Sequence, residues 1–350
     1  MNSTEWTLAV ERKWLKKLLR SPARLTLEVL SRLEGKLWAN VQLHYSPIFI
    51  VAPPRAGTTL LYQLMTGYLA TSYFTNLAMR FNIRGGKTAP IFGAYFSKLL
   101  GVNQNHNTTF KSYYGATKGW GGAHEGRLFW HQWFPQHVHA IPPGYLSSEA
   151  QRGVYRAVAG TERAFDLPFV NKRIMNSVRI EALSEIFPQA LFIRCARNPL
   201  DIAQSILIAR TRDFPFQDQE RDPKKFWVSV RPKEYETIKH KGLIEQVCEQ
   251  VYYVEQSISA AREALGEDRF LTVDYKDLCE APHRELEHIF RFMNDHNAPT
   301  RMIRSFPDVF PYSTGRKIDK IDEDRYLAMR DYLNQLYGHS GADEPDRYRP

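Results

Sequence analysis

The chain has 350 residues, and 43% of them are hydrophobic, which is enough for a large core and excludes a mainly disordered protein. A formal net charge of +9 favours an anionic ligand or surface, although net charge does not determine the fold. The three cysteines lack the spacing of a disulfide framework or a zinc site, so we expect a protein of the reducing cytoplasm. Its expected positions there include the inner membrane surface.

Residues 1–40 form a predicted basic, amphipathic helical extension. Apolar and basic side chains fall on different faces of the helix: Trp14, Leu15, Leu18 and Leu19 against Arg12, Lys13, Lys16, Lys17 and Arg20. Such a helix binds an anionic membrane surface or docks on its own domain, and both alternatives stay open. Because no apolar run reaches about 18 residues and no apolar signal core is present, we expect neither a membrane span nor export.

Beyond residue 40, short apolar runs alternate with helical patterns. Four runs predict strands buried on both faces: Pro47 to Ala52, Leu167 to Val170, Ala190 to Ala196 and Arg269 to Val273. Five segments predict helices: Leu60 to Leu69, Val178 to Ile186, Leu200 to Ile208, Ile244 to Leu265 and Arg284 to Met293. This alternation predicts a three-layer α/β fold, with a P-loop-like central parallel sheet flanked by helices. We expect one domain over residues 41–340.

One region, at about residues 80–145, departs from this alternation. It is rich in Gly, His, Asn and aromatic residues, and we interpret it as an insertion over the functional edge of the sheet. Five of its aromatic residues are able to stack on sugar rings, line a hydrophobic pocket or pack a core: Tyr113, Tyr114, Trp120, Trp130 and Trp133.

The first strand is followed by a turn that is suited to binding an anion. The sequence here is Pro53-Pro54-Arg55-Ala56-Gly57-Thr58-Thr59, and a helical run begins directly after it. A helix start offers free backbone N–H groups and the positive end of the helix dipole. Thr58 and Thr59 add hydroxyl donors, and Arg55 adds a planar cation.

A P-loop kinase or NTPase is the nearest alternative for this turn. Its motif requires a lysine after the last glycine, but Thr58 follows Gly57 here. The upstream glycine is also absent, because Ala52 stands five positions before Gly57. Both departures weaken the prediction of magnesium-dependent nucleotide hydrolysis.

The turn resembles the 5′-phosphosulfate loop of the sulfotransferase superfamily, which reads Pro-Arg/Lys-Ser-Gly-Thr-Thr. Ala56 replaces the serine, which removes a hydroxyl but keeps the backbone cradle. Further blocks follow in the family's order: Asn171-Lys172-Arg173, Phe187-Pro188, Arg197 with Ser205 eight residues later, Val273 to Leu278, and Ser313 to Lys317. The chain is therefore identified as similar to bacterial-type sulfotransferases, with likeness to carbohydrate and tyrosylprotein sulfotransferases.

The resemblance implies 3′-phosphoadenosine 5′-phosphosulfate (PAPS) as the donor, without a metal. It implies that the loop residues bind the 5′-phosphosulfate: Arg55, Ala56, Gly57, Thr58 and Thr59. Arg197 and Ser205 would bind the 3′-phosphate, and both are able to face one anion at a strand end and the following helix. Tyr275 would lie near the nucleotide, and Arg316 and Lys317 would belong to a loop that covers the donor.

Sulfuryl transfer from PAPS is an in-line displacement in which negative charge grows on the bridging oxygen of the leaving bisphosphate. We expect Arg55 and Lys172 to stabilise that charge. Neither familiar general base of the superfamily is present, because Ile174 stands where cytosolic members have histidine, and residues 75–77 contain no glutamate. Glu125, with His124 second, is the predicted base, in a glycine-flanked segment of the insertion.

The aromatic insertion favours a carbohydrate or glycolipid acceptor over a small phenol. A non-catalytic protein that binds an anion or a membrane is a further alternative. Nucleic acid is not an expected partner, since no RNA-type aromatic motif or zinc spacing occurs and the basic residues outside the first helix are dispersed. Peripheral membrane contact through the N-terminal helix would suit a lipid-linked saccharide.

Overall fold

Four parallel β-strands form one sheet in the computed structural model of the chain. The model describes residues 25–81, 88–102, 110, 117–213, 227–305, 309–312, 314–317 and 319–338. The strands are β1 (Ile48–Val51), β2 (Val170–Asn171), β3 (Leu191–Ala196) and β4 (Phe270–Asp274). Their order in the sheet is β2-β1-β3-β4, and every neighbouring pair is parallel.

Helices flank the sheet, and residues 25–37 are helical as well. The α-helices that begin within the described residues after β1 are α1 (Thr58–Tyr68), α2 (Pro90–Leu99), α3 (Arg127–Trp133), α4 (Ser148–Phe165), α5 (Ile180–Ile186), α6 (Pro199–Ile208), α7 (Tyr235–Ile238), α8 (Leu243–Leu265), α9 (Tyr275–Glu280), α10 (Pro282–Asp295) and α11 (Glu323–Tyr337). A short π-helical turn (Ala209–Asp213) extends α6. None of the described helices has the length and apolar character needed to cross a bilayer.

The predicted fold class is confirmed: helices flank an all-parallel central sheet. All four residues of β1 are fully buried, because this strand lies between β2 and β3 and is covered on both faces. Full burial explains why the strand appears in the sequence as a continuous apolar run and not as an alternating one. Phe49 contacts the rings of Phe187, Phe192 and Trp130 in this core.

The second predicted strand was wrong in its bounds. It was expected over Leu167 to Val170, whereas β2 begins only at Val170. Proline has no backbone N–H to donate to a ladder, and the carbonyl of Pro168 instead accepts from the N–H of Ser72 at 2.8 Å. Phe169 forms an isolated bridge with Ser72 before the regular pairing with β1 begins.

Candidate active site

The carboxyl ends of the four strands bring the predicted site residues to one edge of the sheet. Residues 55–59 follow β1, Lys172 follows β2, Arg197 follows β3 and Tyr275 follows β4. In a parallel α/β sheet this edge is where ligands bind. Because β1 is central, the loop after it lies between Lys172 on one side and Arg197 on the other.

The loop after β1 is tightly curved. Arg55 and Gly57 both adopt left-handed backbone conformations, with φ angles of 75° and 102°. A left-handed conformation costs a residue with a Cβ roughly 1–2 kcal/mol, and such strain is found at functional sites. Ala56 between them is fully buried, and its carbonyl accepts from the thiol of Cys195 at 3.3 Å.

The curved loop leads into α1 with an N-terminus suited to an anion. Gly57 is the N-cap, no side chain caps the helix, and no acidic residue lies in its first turn. Thr58 is buried at the first helical position, and the Thr59 hydroxyl accepts from Lys172 Nζ at 3.1 Å. Backbone N–H groups at an uncapped helix start attract negative charge.

Gly57 leaves no room for a side chain in this loop. A Cβ built at this position would lie 2.1 Å from Cδ2 of Tyr275, so the ring packs directly against the glycine. We expect Gly57→Ala to lower the free energy of unfolding by at least about 1–2 kcal/mol from backbone strain alone. It should also weaken nucleotide binding, because the Tyr275 ring has to move.

Gly144→Ala is the matched control for this substitution. Gly144 also has a positive φ, of 74°, but nothing lies within 4 Å of a Cβ built there. Denaturant unfolding and calorimetric nucleotide titration of both variants separate strain from the clash with Tyr275. Equal behaviour of the two variants would contradict the role given to the Gly57–Tyr275 contact.

The side chains of Arg55 and Ser205 contact each other directly. Arg55 Nε donates to Ser205 Oγ at 3.1 Å, and Arg197 Nη1 donates to the Arg55 carbonyl at 3.3 Å. The Arg197 guanidinium lies 4.7 Å from the centroid of the Tyr275 ring. Loops that follow β1, β3 and β4 are thus joined around a pair of arginines.

Local sequence explains how Arg197 and Ser205 come to face one point. Asn198 caps α6, since its Oδ1 accepts from the N–H groups of Leu200 at 2.8 Å and Asp201 at 3.4 Å. Pro199 at the first helical position has a backbone angle that suits a helix start. The helix therefore begins directly after Arg197, and Ser205 lies about two turns along it.

The segment 314–317 packs over α6. Gln204 Nε2 donates to the Gly315 carbonyl at 3.2 Å, and the Lys317 N–H donates to Gln204 Oε1 at 3.1 Å. Burial, followed by the nearby charge of Arg197, lowers the pKa of Lys317 to about 8. Arg316 instead pairs with Glu323 at 3.1 Å. Of the two basic residues predicted here, Lys317 lies near Arg55 and Arg197, whereas Arg316 points to α11.

Glu125 lies between two cations on the other side of the loop. Its Oε1 accepts a short hydrogen bond from Lys172 Nζ, and its Oε2 accepts from Arg173 Nη1 at 3.1 Å. Burial alone would raise the pKa of Glu125, but the charges and hydrogen bonds of Lys172 and Arg173 outweigh it and hold that pKa below its ordinary value. Since Lys172 also contacts Thr59, this lysine connects the Glu125 carboxylate to the loop after β1.

His124 has a different hydrogen-bonding state from Glu125. Its Nδ1 accepts from the N–H of Gly126 at 2.8 Å, so the neutral ring carries its proton on Nε2. Burial, against a smaller opposing effect of Glu125, lowers the pKa of His124 and favours this neutral form. His124 is therefore arranged as a hydrogen-bond donor at Nε2, whereas Glu125 is an ionised acceptor.

Two residues that support Glu125 were missed by the sequence analysis. Arg173 was noted only as part of a motif, although it binds the carboxylate directly. Trp130 was grouped with aromatics that stack on a ligand, line a pocket or pack a core. It is fully buried in the core, and its Nε1 donates to the Glu125 carbonyl at 3.0 Å. A basic residue directly after Lys172 was the one available signal, and nothing in the sequence indicated its partner.

A cavity of about 490 Å³ lies beside His124. It is lined by Asn76, Leu77, Met79, Arg80, Thr117, Gly119, Trp120 and His124. The Trp120 side chain is 67% exposed, while its backbone is fixed because its carbonyl accepts from the N–H of Leu77 at 2.9 Å. Trp133 packs against Gly153, and Tyr113 and Tyr114 lie outside the described residues.

The cysteines and acids of the described residues give no metal site. Cys195, Cys248 and Cys279 are buried free thiols. Within the part of the chain that the structure describes, no group of three or more His, Cys, Asp or Glu side chains could hold a metal ion.

Comparisons with known proteins find a family model and solved structures that are similar to this chain. The model of the Sulfotransferase family matches residues 47–295. No curated protein matches the chain. Among solved structures, sulfotransferase STF1 from Mycobacterium tuberculosis is 18% identical over 78% of this chain and 74% of its own, with a TM-score of 0.47. STF9 from Mycobacterium avium is 15% identical over 84% and 69%, with a TM-score of 0.44. A sulfotransferase from Alicyclobacillus acidocaldarius is 14% identical over 85% and 97%, with a TM-score of 0.38.

Proposed function

Because this chain belongs to the sulfotransferase family, we propose that it moves a sulfuryl group from PAPS to an acceptor hydroxyl. The observation that carries the proposal is the contact of Arg55 with Ser205, 3.1 Å apart. It brings the loop suited to the 5′-phosphosulfate next to the residues suited to the 3′-phosphate. PAPS differs from common adenine nucleotides in carrying both groups, so two adjacent anion sites favour it.

The charges of the site support the same donor. Arg55, Arg197 and Lys317 gather at one end, and the lowered pKa of Lys317, which is about 8, reflects burial and repulsion by Arg197. Clustered cations are unfavourable until an anion neutralises them. A 3′-phosphate bound here would raise the pKa of Lys317, because its negative charge offsets the repulsion by Arg197.

The proposed reaction has one bond-forming and one bond-breaking event. The acceptor oxygen attacks sulfur, the bond between sulfur and the bridging oxygen breaks, and adenosine 3′,5′-bisphosphate leaves. Arg55 and Lys172 stabilise the negative charge that grows on the bridging oxygen. The acceptor proton passes to the Glu125 carboxylate, whose ionised form suits a base, whereas His124 holds its Nε2 proton and donates a hydrogen bond.

The cavity beside His124 supports a carbohydrate or glycolipid as the acceptor. An exposed indole on a fixed backbone is a ready platform for the apolar face of a sugar ring, and Asn76, Arg80 and Thr117 supply polar groups around it. A small phenol would require a more enclosed and more apolar pocket. The acceptor class is therefore proposed from the lining of this cavity.

Trp120→Ala is expected to raise the KM for a saccharide acceptor about tenfold and to change kcat less than threefold, because stacking acts in binding and not in the chemical step. Tyr145→Ala removes another exposed aromatic, which does not line the cavity, and serves as the control. Initial rates at varied acceptor concentration give both constants. An unchanged KM in Trp120→Ala would remove this residue from the acceptor site.

Transfer of radiolabelled sulfate from PAPS tests the function itself. The purified chain is incubated without added metal against methyl glycosides, glycolipids and simple phenols, and labelled products are separated. We expect a sulfated saccharide together with adenosine 3′,5′-bisphosphate. Magnesium-dependent hydrolysis of ATP without sulfate transfer would instead support the kinase or NTPase alternative.

A further inference from the structure

A row of apolar side chains faces solvent on the helical segment 25–37. Four large apolar residues recur at intervals of four: Leu25, Val29, Leu33 and Leu37. Each is between 42% and 66% exposed, and residues at this spacing share one side of a helix. The opposite side packs inward, where Leu27 and Glu34 are buried. The segment thus turns its apolar row away from the protein, the reverse of an ordinary surface helix.

Contacts at the end of this segment fix its orientation. Glu34 Oε1 accepts from the backbone N–H of Phe92 in α2, at 2.7 Å. The Trp38 ring packs against the rings of Phe92 and Tyr95, with centroid distances of 5.2 and 5.6 Å. Rotating the apolar row inward would break the hydrogen bond of a buried carboxyl group, which is costly.

Helix α2 and the residue after it extend the exposed apolar surface. Four more large hydrophobic residues are 40–80% exposed there: Tyr95, Phe96, Leu99 and Leu100. Trp38 joins the two groups through its contact with Tyr95. Together the groups, which we call the apolar face, hold eight of the thirteen exposed large hydrophobic residues in the described part of the chain. Such a concentration marks an interaction surface and not scattered exposure.

The exposed charges on the two elements that carry the apolar face are basic. Arg32 and Lys36 are exposed on the helical segment, and Lys98 is exposed on α2. Over residues 25–40 and 88–102 no acidic residue is exposed, because Glu28 is half-buried and Glu34 is buried. Two elements that expose an apolar face and cations, but no acidic residue of their own, match the chemistry of an anionic bilayer surface.

A second copy of the chain fits this surface less well. In a two-fold dimer the same patch of each copy meets its counterpart. The cations that flank the apolar face would then approach the cations of the other copy, and like charges brought together at an interface are unfavourable. Anionic lipid headgroups offer the opposite charge beside an apolar layer.

We propose that the apolar face docks the protein on the surface of an anionic membrane, with the four residues of the row at the boundary between the headgroups and the acyl chains, and with Arg32, Lys36 and Lys98 among the headgroups. This interaction is peripheral, and it is independent of the proposed transfer reaction. It would hold the enzyme where lipid-linked acceptors are found.

Co-sedimentation of the full-length chain with vesicles tests the proposal. The vesicles are phosphatidylcholine with and without phosphatidylglycerol, and the variant replaces all four residues of the row: Leu25→Gln, Val29→Gln, Leu33→Gln and Leu37→Gln. We expect binding to the anionic vesicles that weakens with salt, and at least about a tenfold loss of partitioning in the variant. Val138→Gln with Ile303→Gln removes exposed hydrophobic residues elsewhere and should leave binding unchanged.

Other results would overturn the proposal. Equal binding of the variant and the wild type would remove the apolar face from membrane contact, and equal binding to both vesicle types would remove the anionic surface as its partner. Sedimentation velocity identifies the other occupant, since a dimer that dissociates in the variant would show that a second copy covers the face. Circular dichroism and nucleotide affinity confirm that the variant remains folded.

Discussion

Replacing Glu125 by glutamine should lower kcat by roughly 10² to 10⁴, the range expected when a general base is lost. Glutamine keeps the size of the side chain and a carbonyl oxygen that Lys172 and Arg173 can still contact. It does not accept a proton, so the expected loss lies in the chemical step. Steady-state kinetics with a saturating donor measure it, and the KM for PAPS should change little.

The pH profile separates Glu125 from His124. The ionised carboxylate is the active form, so wild-type kcat/KM should fall on the acid side, below the lowered pKa of Glu125. This acid limb should disappear in Glu125→Gln and persist in His124→Ala, which loses the Nε2 donor and the Nδ1 atom that accepts from the Gly126 N–H but leaves the Glu125 carboxylate in place. Full activity in both variants would discard this pair as the site of proton transfer.

Lys172→Ala is expected to lower kcat by roughly 10² to 10³, because Lys172 stabilises charge that develops mainly in the transition state. Arg55→Ala should fall in the same range. The chain should still fold without the lysine, since Arg173 continues to pair with Glu125 at 3.1 Å. With one of its two cations gone, the pKa of Glu125 rises, and the acid limb of kcat/KM should move to higher pH.

Lys241→Ala is the matched control for Lys172→Ala. Lys241 also pairs with a buried glutamate, Glu249, but at the start of α8 and away from the loop. It should alter thermal stability without altering turnover or the pH profile. Wild-type turnover in Lys172→Ala would contradict the role of this lysine in stabilising the transition state. An acid limb that stays at the same pH would contradict its effect on the pKa of Glu125.

The sheet could be predicted from sequence because its strands are buried on both faces. Such strands leave continuous apolar runs, and parallel pairing brings their carboxyl ends to one edge, so the positions of Lys172 and Arg197 followed from chain order. Helix α4 was missed because much of its buried side consists of alanine and glycine, which give little apolar signal in the sequence. It packs through Gly153 against Trp133 and through Gly160 against Ile91.

The partners of the site residues could not be predicted in the same way. Arg173 and Trp130 reach Glu125 only because the chain around His124 pairs with the segment after α1, where the His124 N–H donates to the Phe74 carbonyl at 2.7 Å. This contact joins residues far apart in sequence and leaves no local pattern. The basic helix predicted within residues 1–40 lies outside the described residues up to position 24.

Calorimetric titration of adenosine 3′,5′-bisphosphate against ADP tests the central claim most directly. The wild type should prefer the 3′-phosphorylated ligand, and Arg197→Ala or Ser205→Ala should reduce that preference by about 1.5–3 kcal/mol for each charge-assisted contact, with little effect on ADP. Equal affinity of the wild type for the two nucleotides, or a preference that survives both substitutions, would contradict the account.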